Sequence, residues 1–323
     1  MQDKEFIKQL LEPNERPLLS VVVIVTSGIS HLGRCLQALE SQLNPPSMEI
    51  IVPFDSSVLE IKELYNIHKS VRFVDMGLNV HTEYKSDPGI AHLMYDRRRA
   101  AGIAAARANI IAMTEDHAVP DKRWCANITA VHQKPYGVIG GAIDNATDGI
   151  LNWAVYFCDF ARYQNPVKEG SVKYISDVNV SYKRAVINKA LETWQGSYHE
   201  TAIHNTLLAN GETLWLTSDL IVRQERGRLK LADVIRERFA WGRLYAGKRV
   251  NEVRGIYRLP LIIFSLLLPP LLVWRKILTT YRRGRYMRPL IRVFPIMVFL
   301  VVIWTLGELI GYLTGKPTAR RIG

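Results

Sequence analysis

The sequence predicts an α/β protein in which a doubly wound sheet is flanked by helices. Short runs of aliphatic and β-branched residues recur through the first half of the chain, which is typical of strands buried on both faces. Stretches with helical spacing separate these runs. Acidic residues follow directly after several of the runs, and open sheets of this class bind ligands beyond the carboxyl ends of their strands. The fold class therefore also predicts where the binding site lies.

The first crossover unit is predicted within residues 20–55. The run SVVVIVTS (residues 20–27) is the first strand, and MEIIVPF (residues 48–54) is the second strand, which ends at Asp55. Between them, leucines recur at helical spacing. A strand, a helix and a strand in this order predict a right-handed crossover with two parallel strands.

The same alternation continues along the chain. It predicts an amphipathic stretch near residues 58–68 and then a strand VRFVDM (71–76). An alanine-rich helix ending near Arg107 and a strand NIIAM (109–113) come next. This last strand is followed by Thr114-Glu115-Asp116-His117. Further on, GVIGGAI (137–143), VKYIS (172–176) and TLWLT (213–217) are predicted strands. A helix is predicted over residues 199–209, because Asn210-Gly211 is a good helix stop.

The positive charge of the chain belongs to its C-terminal part. The formal net charge is +12, yet residues 1–220 contain 21 Lys/Arg and 25 Asp/Glu, whereas residues 221–323 contain 21 and 5. A nucleic-acid-binding protein usually spreads its basic residues over the folded domain, and a negatively charged domain repels a phosphate backbone. We therefore predict no nucleic-acid partner and expect anionic membrane lipids to contact the basic segment.

Domain organisation follows from this change in composition. We predict a leader (residues 1–18), an α/β domain (19–222), a basic amphipathic interface segment (223–258), a membrane-embedded or re-entrant helical segment (259–316) and a basic tail (317–323). The three cysteines lack metal-ligand spacing, which predicts buried thiols in a reducing compartment.

Two apolar runs lie in the segment 259–316. The second run, residues 289–313, is about 25 residues long with two charged residues, and a spanning helix needs roughly 20 apolar residues. The first run, residues 259–274, is shorter and contains Pro269-Pro270. Seven Lys/Arg and no acidic residue lie between residues 275 and 292. If both runs crossed, this stretch would be external, against the positive-inside rule, so we expect the first run to lie in the interface or to re-enter.

The triplet Glu115-Asp116-His117 is the main candidate for chemistry. Acidic and imidazole groups at the exit of a strand can hold a divalent cation on a diphosphate, and this set of ligand atoms suits Mg²⁺ or Mn²⁺. The alternative is that the triplet only caps the following loop and helix.

Residues 19–222 resemble the inverting glycosyltransferases of family 2, of the membrane-associated bacterial type. The segments that carry the resemblance are SVVVIVTS, EIIVPFDSS, RAAGIAAARANIIAMTEDHAVPDKRW, DVNVSYKRAVI and YHETAIHNTLLANGETL. The resemblance implies the GT-A fold of these enzymes, with its mixed sheet, and a nucleotide-sugar donor.

Positions that match the family carry expected roles on the donor side. Asp55 would contact the nucleoside, and Arg99 would lie in the helix beneath the diphosphate. Glu115 and Asp116 would face the donor, with Asp116 as the main metal ligand. His117 stands where the usual motif has a second aspartate, and its imidazole would favour Mn²⁺ over Mg²⁺.

On the acceptor side, Glu200 resembles the general base that removes a proton from the attacking hydroxyl. The alternative for Glu200 is a first-turn residue that satisfies the helix dipole. Four further residues are candidates for the acceptor or sugar pocket, although a tryptophan is more often a core residue: Asp177, Asn179, Ser181 and Trp194.

The resemblance therefore predicts a metal-dependent inverting transfer from a UDP- or GDP-linked sugar to a lipid-linked or saccharide acceptor. The expected setting is bacterial surface polysaccharide or glycolipid assembly at the cytoplasmic face of the inner membrane. Two alternatives stay open at this point. One is a polyprenyl-phosphate sugar synthase, and the other is a catalytically silent, membrane-bound protein that binds nucleotide sugars.

Overall fold

A single mixed sheet is the centre of the structure. The computed structural model describes residues 16–79, 87–251 and 258–316, so most of the predicted leader, part of the interface segment and the basic tail lie outside the described residues. The strands are, in chain order, β1 (Leu19–Ile24), β2 (Met48–Phe54), β3 (Val71–Asp75), β4 (Ile110–Glu115), β5 (Ala118–Pro120), β6 (Val138–Asn145), β7 (Gly170–Val172), β8 (Val180–Lys183) and β9 (Leu214–Gln224).

Helices cover both faces of this sheet and form the C-terminal part. They are α1 (Ile29–Glu40), α2 (Pro88–Ala105), α3 (Trp124–Val131), α4 (Ile150–Phe160), α5 (Arg184–Ile187), α6 (Leu191–Trp194), α7 (Glu200–Ala209), α8 (Leu231–Asn251), α9 (Arg258–Arg283) and α10 (Met287–Thr314). Short 3₁₀ segments occupy Ser56–Leu64, Ala161–Tyr163 and Asn188–Ala190.

The order of strands confirms the predicted mixed, doubly wound sheet. The path is β3-β2-β1-β4-β8-β6-β9-β5, with β7 pairing β9. Strands β3, β2, β1 and β4 are mutually parallel, whereas β8 is antiparallel to both β4 and β6. The carboxyl ends of β2, β1 and β4 therefore meet at one edge, as the crossover pattern predicts.

Side chains of β1 alternate between two cores on opposite faces of the sheet. Val21 and Val23 pack with α1, α3 and α4, whereas Val22 and Ile24 pack with α2, α5 and α7. Helix α2 approaches closely at Gly102, where an added Cβ would overlap Val22. This contact fixes the distance of α2 from the strands that it covers.

Some boundaries differ from those predicted. The stretch 172–176 is not a strand: β7 ends at Val172, and the chain then turns, with Asn179 N–H donating to Ser176 O at 3.1 Å. This turn places Asp177 away from the sheet. The predicted domain boundary at residue 222 falls inside β9, which continues to Gln224 because its last residues pair with β5 and β6.

The C-terminal helices are packed onto the α/β domain. Leu290, Val293 and Met297 of α10 belong to the same core as β1 and α4. Helix α8 lies against both α10 and α2. Its Arg238 is buried and forms a two-point ion pair with Asp159, with Nη2 2.7 Å from Oδ2. The basic segment is therefore partly an internal element and not only a surface helix.

Helices α9 and α10 also expose much apolar surface. Among the described residues, α10 is long and apolar enough to cross a membrane by length and composition, and α9 is bent by 53° between Ser265 and Leu267. Large exposed apolar side chains are concentrated on these two helices: Leu259, Ile263, Phe264, Leu267, Leu271, Trp274, Ile291, Phe294, Phe299, Val302, Leu306 and Leu313.

Glycines bring α8 and α10 into backbone contact. A Cβ at Gly307 would overlap the carbonyl oxygen of Phe239, and a Cβ at Gly242 would overlap that of Trp304. We expect Gly307→Ala to separate the helices and to lower the free energy of unfolding by about 2 kcal/mol. The new Cβ would meet backbone atoms of α8, which cannot move aside as the end of a flexible side chain can.

Thermal unfolding of the full chain in a neutral detergent measures this loss. Gly33→Ala is the matched control, because Gly33 is also helical and an added Cβ would find its nearest neighbour, Leu64 Cδ2, at 4.0 Å. That control is expected to be neutral or to gain about 0.5 kcal/mol. Equal melting temperatures for Gly307→Ala and the wild type would contradict the close helix contact.

Candidate active site

The loop after β1 is held by the carboxylate of Asp116. Asp116 Oδ2 accepts hydrogen bonds from the backbone N–H groups of Thr26 at 2.9 Å, Ser27 at 2.7 Å and Gly28 at 3.1 Å. Its Oδ1 accepts from Thr26 Oγ1 at 2.7 Å. The side chain is fully buried. Although burial acts to raise it, hydrogen bonds from His117 and from this loop hold the pKa of Asp116 below its usual value.

Asp116 therefore anchors the loop, and its role as the main metal ligand stays a prediction. Its oxygens already accept several protein donors, and no part of the carboxylate is exposed to the neighbouring cavity. A carboxylate that satisfies several backbone N–H groups is a structural acceptor, and a metal would have to displace those bonds. These bonds hold the loop after β1, and not the loop and helix following the triplet that the alternative named.

Glu115 and His117 instead line a cavity of about 390 Å³, which we call the strand-edge cavity. Their facing atoms, Glu115 Oε2 and His117 Nε2, are 3.3 Å apart. Thr26 and Ser27 form a neighbouring part of the wall. On the opposite side the chain after β9 contributes Arg226, whose Nε lies 3.1 Å from His117 Nε2.

The pair Glu115 and His117 fits a divalent ion that shares its other positions with a substrate. Mg²⁺ is usually bound by one or two protein carboxylates together with phosphate oxygens and water, and imidazole suits Mn²⁺. Two ligand atoms on adjacent positions of an octahedral ion lie about 3 Å apart, given bonds of about 2.1 Å. Among the described residues, no group of three or more His, Cys, Asp or Glu forms a complete metal site. The part of the chain that the structure describes thus offers two candidate ligands at this place and not a closed cage.

Arg99 connects these groups to the other end of the site. Its buried guanidinium lies 2.7 Å from Glu115 Oε1 and 2.9 Å from Asp177 Oδ2, both through Nη2, and Nη1 lies 3.4 Å from Asp96 Oδ1. Burial acts to lower the pKa of Arg99, but the negative charges of Asp177 and Glu115 outweigh it and raise the pKa. Arg99 therefore stays charged.

Glu200 begins α7 and lies next to Asp177. Its Oε2 accepts a hydrogen bond from Asp177 N–H at 3.2 Å. Burial, followed by the charge of Asp177, raises the pKa of Glu200 well above its usual value. Glu200 faces a second cavity of about 270 Å³, which we call the Glu200 cavity, and Asp159 lines both cavities. The acidic groups thus run from the strand edge to Glu200.

A comparison with solved structures identifies the fold. The chain is similar to the mannosyltransferase PcManGT from Pyrobaculum calidifontis, solved in complex with GDP-Man and Mn²⁺. The TM-score is 0.52 at 14% identity, and the match covers 95% of this chain and 93% of that one. This is a glycosyltransferase fold. No protein-family model and no curated protein sequence matches the chain.

The near-complete coverage includes the C-terminal helices. Because 95% of the chain is matched, the similarity to the mannosyltransferase extends beyond the α/β domain to the part that contains α8, α9 and α10. The predicted glycosyltransferase fold is confirmed. The GT-A type, the family and the bacterial origin remain predictions, since 14% identity bears on the fold alone.

Asp55 lies at the predicted edge of the sheet but does not face the cavity. It is fully buried, with Oδ1 accepting from Ser57 N at 2.8 Å and Oδ2 accepting from Arg98 Nε at 2.8 Å. Arg98 also donates to Val25 O. In this structure Asp55 caps the 3₁₀ segment and holds Arg98 between the ends of β1 and β2. The nucleoside contact of Asp55 stays a prediction.

Three of the predicted pocket residues are structural. Asn179 Nδ2 donates to Ala142 O at 2.8 Å, and Ser181 contacts His132 Nε2 at 2.9 Å inside the sheet. Trp194 is 5% exposed, and its Nε1 donates to Ile187 O at 3.0 Å, as a core tryptophan does. None of the three lines either cavity, and their roles in an acceptor or sugar pocket stay predictions. Asp177 does line the strand-edge cavity.

Sequence reasoning missed part of the cavity wall. Tyr95, Trp241, Arg226 and Arg228 line the strand-edge cavity, although three of them lie beyond the predicted domain boundary at residue 222. The only sequence signal was the arginine-rich composition after β9, which equally predicts a membrane-facing surface. Asp159 of α4 and Arg162 of the following 3₁₀ segment belong to no motif in the sequence, so their place in the cavity wall was not predicted.

Replacing Asp116 tests its anchoring role. Asp116→Asn removes the charge that the N–H groups of Thr26, Ser27 and Gly28 bind and turns one acceptor into a donor. We expect the free energy of unfolding at neutral pH to fall by about 2 kcal/mol. Chemical denaturation measures the change.

Asp148→Asn is the control for Asp116→Asn, because Asp148 is an exposed carboxylate. It is expected to change stability by less than about 0.5 kcal/mol. Unchanged stability of Asp116→Asn would show that the carboxylate is not needed to hold the loop.

Proposed function

We propose that the protein transfers a sugar from a nucleoside-diphosphate sugar to a membrane-proximal acceptor, with a divalent metal and with inversion. The observation that carries the proposal is the continuous row of Glu115 with His117, Arg99, Asp177 and Glu200, which joins the strand-edge cavity to the Glu200 cavity. A donor site and a base on opposite sides of one reacting carbon is the arrangement that direct displacement requires. The glycosyltransferase fold supports this assignment.

The strand-edge cavity has the groups that a UDP- or GDP-linked donor needs. Arg226 and Arg228 line it as cationic donors suited to a diphosphate, because guanidinium groups bind phosphate oxygens through paired N–H groups. Tyr95 and Trp241 also line this cavity, and their aromatic rings are suited to stacking on the nucleobase of the donor. The backbone loop held by Asp116 shapes the wall beside them.

Glu115 and His117 would hold the metal ion. A bound Mn²⁺ or Mg²⁺ supplies positive charge that offsets the charge developing on the departing diphosphate. Arg99 holds Glu115 in place through its contact at 2.7 Å. Burial raises the pKa of Glu115, and the charges of His117 and Arg99 act against that rise. In the mannosyltransferase that the chain resembles, GDP-Man is bound together with Mn²⁺.

Glu200 is the proposed general base. The acceptor hydroxyl oxygen forms a bond to the anomeric carbon while the bond from that carbon to the β-phosphate oxygen breaks. The hydroxyl proton passes to the Glu200 carboxylate, and the electron pair leaves with the nucleoside diphosphate. A carboxylate with a raised pKa is a stronger base than an ordinary glutamate, which is the effect of burial and of Asp177 here.

The C-terminal helices support a membrane-bound setting. Their exposed apolar side chains and the basic residues between them are suited to a bilayer and its anionic headgroups. We therefore place the protein at the cytoplasmic face of a bacterial inner membrane, where it acts in surface polysaccharide or glycolipid assembly.

Replacing Glu200 tests the base. We expect Glu200→Gln to bind nucleotide sugar as the wild type does but to lower kcat for transfer by roughly 100- to 10,000-fold. The wild-type kcat/KM is expected to fall on acidification through a pKa above the usual glutamate range, because the base must be ionised and its pKa is raised. Glu200→Gln is expected to lack this fall in kcat/KM at low pH.

Steady-state transfer from a panel of UDP- and GDP-sugars, with membrane extract as the acceptor source, measures both effects. Glu192→Gln, an exposed glutamate in α6, is the control and is expected to retain full activity. Undiminished transfer by Glu200→Gln would remove the base assignment and favour an acceptor, such as a lipid phosphate, that needs no proton removed.

Replacing Glu115 tests the metal ligands. Manganese is expected to raise the melting temperature only together with a nucleoside diphosphate, since the chain supplies two ligands. Glu115→Gln is expected to weaken the apparent manganese affinity about tenfold or more, because a charged ligand is lost.

The control is Glu237→Gln, which removes a carboxylate from the same cavity without touching Glu115 or His117. Equal manganese affinities for Glu115→Gln and the wild type would contradict the two-ligand site. The readout is thermal stability and does not depend on turnover.

A further inference from the structure

A further cavity lies at the end of the sheet opposite to the strand-edge cavity. Its volume is about 620 Å³, and we call it the amino-end cavity. Its wall is formed by the residues just before β1, the start of β2, the link between α2 and β4, and the first residue of α5. Strand β1 has six residues, which at about 3.3 Å per residue is a length of roughly 20 Å. The amino-end cavity is therefore well separated from the strand-edge cavity.

Three arginines line the amino-end cavity: Arg16, Arg107 and Arg184. The carboxylate in the same wall, Glu49, is already satisfied. Its Oε1 accepts hydrogen bonds from Ser20 Oγ and from Arg107 N–H, both at 2.7 Å. Its Oε2 lies 3.1 Å from Arg107 Nε and 3.1 Å from Nη2 of Arg72. Although burial acts to raise it, these hydrogen bonds and the charge of Arg72 hold the pKa of Glu49 below its usual value. One negative charge is thus shared by two arginines.

Arg16 and Arg184 have no carboxylate within ion-pair distance in the part of the chain that the structure describes. Arg184 Nε donates to Ala108 O and its Nη2 donates to Ala106 O, both at 2.7 Å. Burial lowers the pKa of Arg184, and although the charge of Glu49 opposes this, the charge of Arg16 adds to the lowering. The two guanidinium groups therefore repel each other, and a bound anion would remove that repulsion.

Capping of α2 is the alternative explanation for these arginines. Arg72 and Arg184 donate to carbonyl groups at the C-terminal end of α2, where cations are favourable. This accounts for the position of Arg72 and Arg184. It does not account for the other two arginines, because the Arg107 side chain donates to Glu49 and Arg16 is exposed. Two cations thus line the cavity without a role in holding the helix end.

The wall of the amino-end cavity indicates the class of its ligand. Guanidinium groups bind phosphate oxygens through paired N–H groups. The volume lies within the range of small-molecule sites. Neither α9 nor α10 lines the cavity, and the large exposed apolar side chains are concentrated on those two helices. A soluble anion therefore suits this cavity better than a lipid headgroup does.

We infer that the amino-end cavity binds the phosphate groups of a small soluble molecule, at a site separate from the proposed donor site. Arg16, Arg107 and Arg184 bind the phosphate oxygens, and Glu49 holds the Arg107 side chain in the wall through its contact at 3.1 Å. No residue of the strand-edge cavity or of the Glu200 cavity takes part.

Titration of inorganic pyrophosphate into the full chain in a neutral detergent tests this inference. A metal chelator is present throughout, so that the probe cannot bind through a metal ion at Glu115 and His117. We expect the wild type to bind pyrophosphate with a Kd below about 1 mM. Arg16→Gln/Arg107→Gln is expected to weaken this binding by about tenfold or more, because two of the three cations are lost.

The single variant Arg16→Gln separates a loss of binding from a loss of folding. Arg16 is exposed, so its replacement is expected to leave the melting temperature unchanged. We expect pyrophosphate binding to Arg16→Gln to be weakened about threefold or more.

Two further double variants are the controls. Arg97→Gln/Arg123→Gln removes the same charge from exposed positions that line none of the three cavities. Arg226→Gln/Arg228→Gln removes two cations from the strand-edge cavity instead. Both are expected to change the pyrophosphate affinity by no more than about twofold, since neither alters the amino-end cavity.

Four results would overturn the inference. The first is that the wild type binds no pyrophosphate up to about 10 mM. The second is equal affinity in the wild type and in Arg16→Gln/Arg107→Gln. The third is an equal loss in Arg97→Gln/Arg123→Gln, which would show general attraction to positive charge. The fourth is a larger loss in Arg226→Gln/Arg228→Gln than in Arg16→Gln/Arg107→Gln, which would place the probe in the strand-edge cavity.

Discussion

The buried guanidinium of Arg99 is the interaction on which the rest of the site depends. It lies against Glu115, Asp177 and Asp96, which are contributed by β4, the turn before β8 and α2. Carboxylates brought this close in a protein interior would repel one another and take up protons, and a central cation removes that repulsion. Arg99 thereby allows Glu115 and Asp177 to stay at the cavity wall. It also links the strand edge mechanically to Glu200, which Asp177 contacts through its backbone N–H.

Topology was predictable from the sequence, but the direction of individual carboxylates was not. Runs of aliphatic residues and the crossover rule placed Asp55 and Glu115 at one edge of the sheet, as the structure confirms. Whether a carboxylate at that edge faces the cavity depends on which donors compete for it. Asp116 accepts hydrogen bonds from three N–H groups of the loop after β1, which lie 88 to 90 residues away in sequence. Asp55 accepts a hydrogen bond from Arg98, which lies 43 residues away. Periodicity carries no information on such distant contacts, so the sequence could place these carboxylates at the sheet edge but could not indicate which of them face the cavity.

The C-terminal helices were predicted as segments separate from the α/β domain, whereas the structure packs them onto that domain. Composition correctly separated a basic, apolar segment from an acidic domain, because charge and hydropathy are local properties of the sequence. It could not show that Met297 packs into the domain core, or that Arg238 is neutralised by Asp159 inside the protein. Burial of an arginine depends on a tertiary partner, and nothing in the segment itself distinguishes Arg238 from the arginines that face outward. The cavity next to Glu200 exists only because α9 closes it.

Ionisation of Glu200 and ionisation of Asp116 have opposite effects on the stability of the fold. Hydrogen bonds lower the pKa of Asp116, so its ionised form stabilises the fold at neutral pH. Burial and Asp177 raise the pKa of Glu200, so that ionising Glu200 reduces the stability of the folded state as pH rises from the usual glutamate range to the raised pKa. A glutamine at position 200 does not ionise and would therefore avoid this loss of stability. Glu200 thus lines a cavity and destabilises the fold when it is ionised, and this combination supports the chemical role proposed for it.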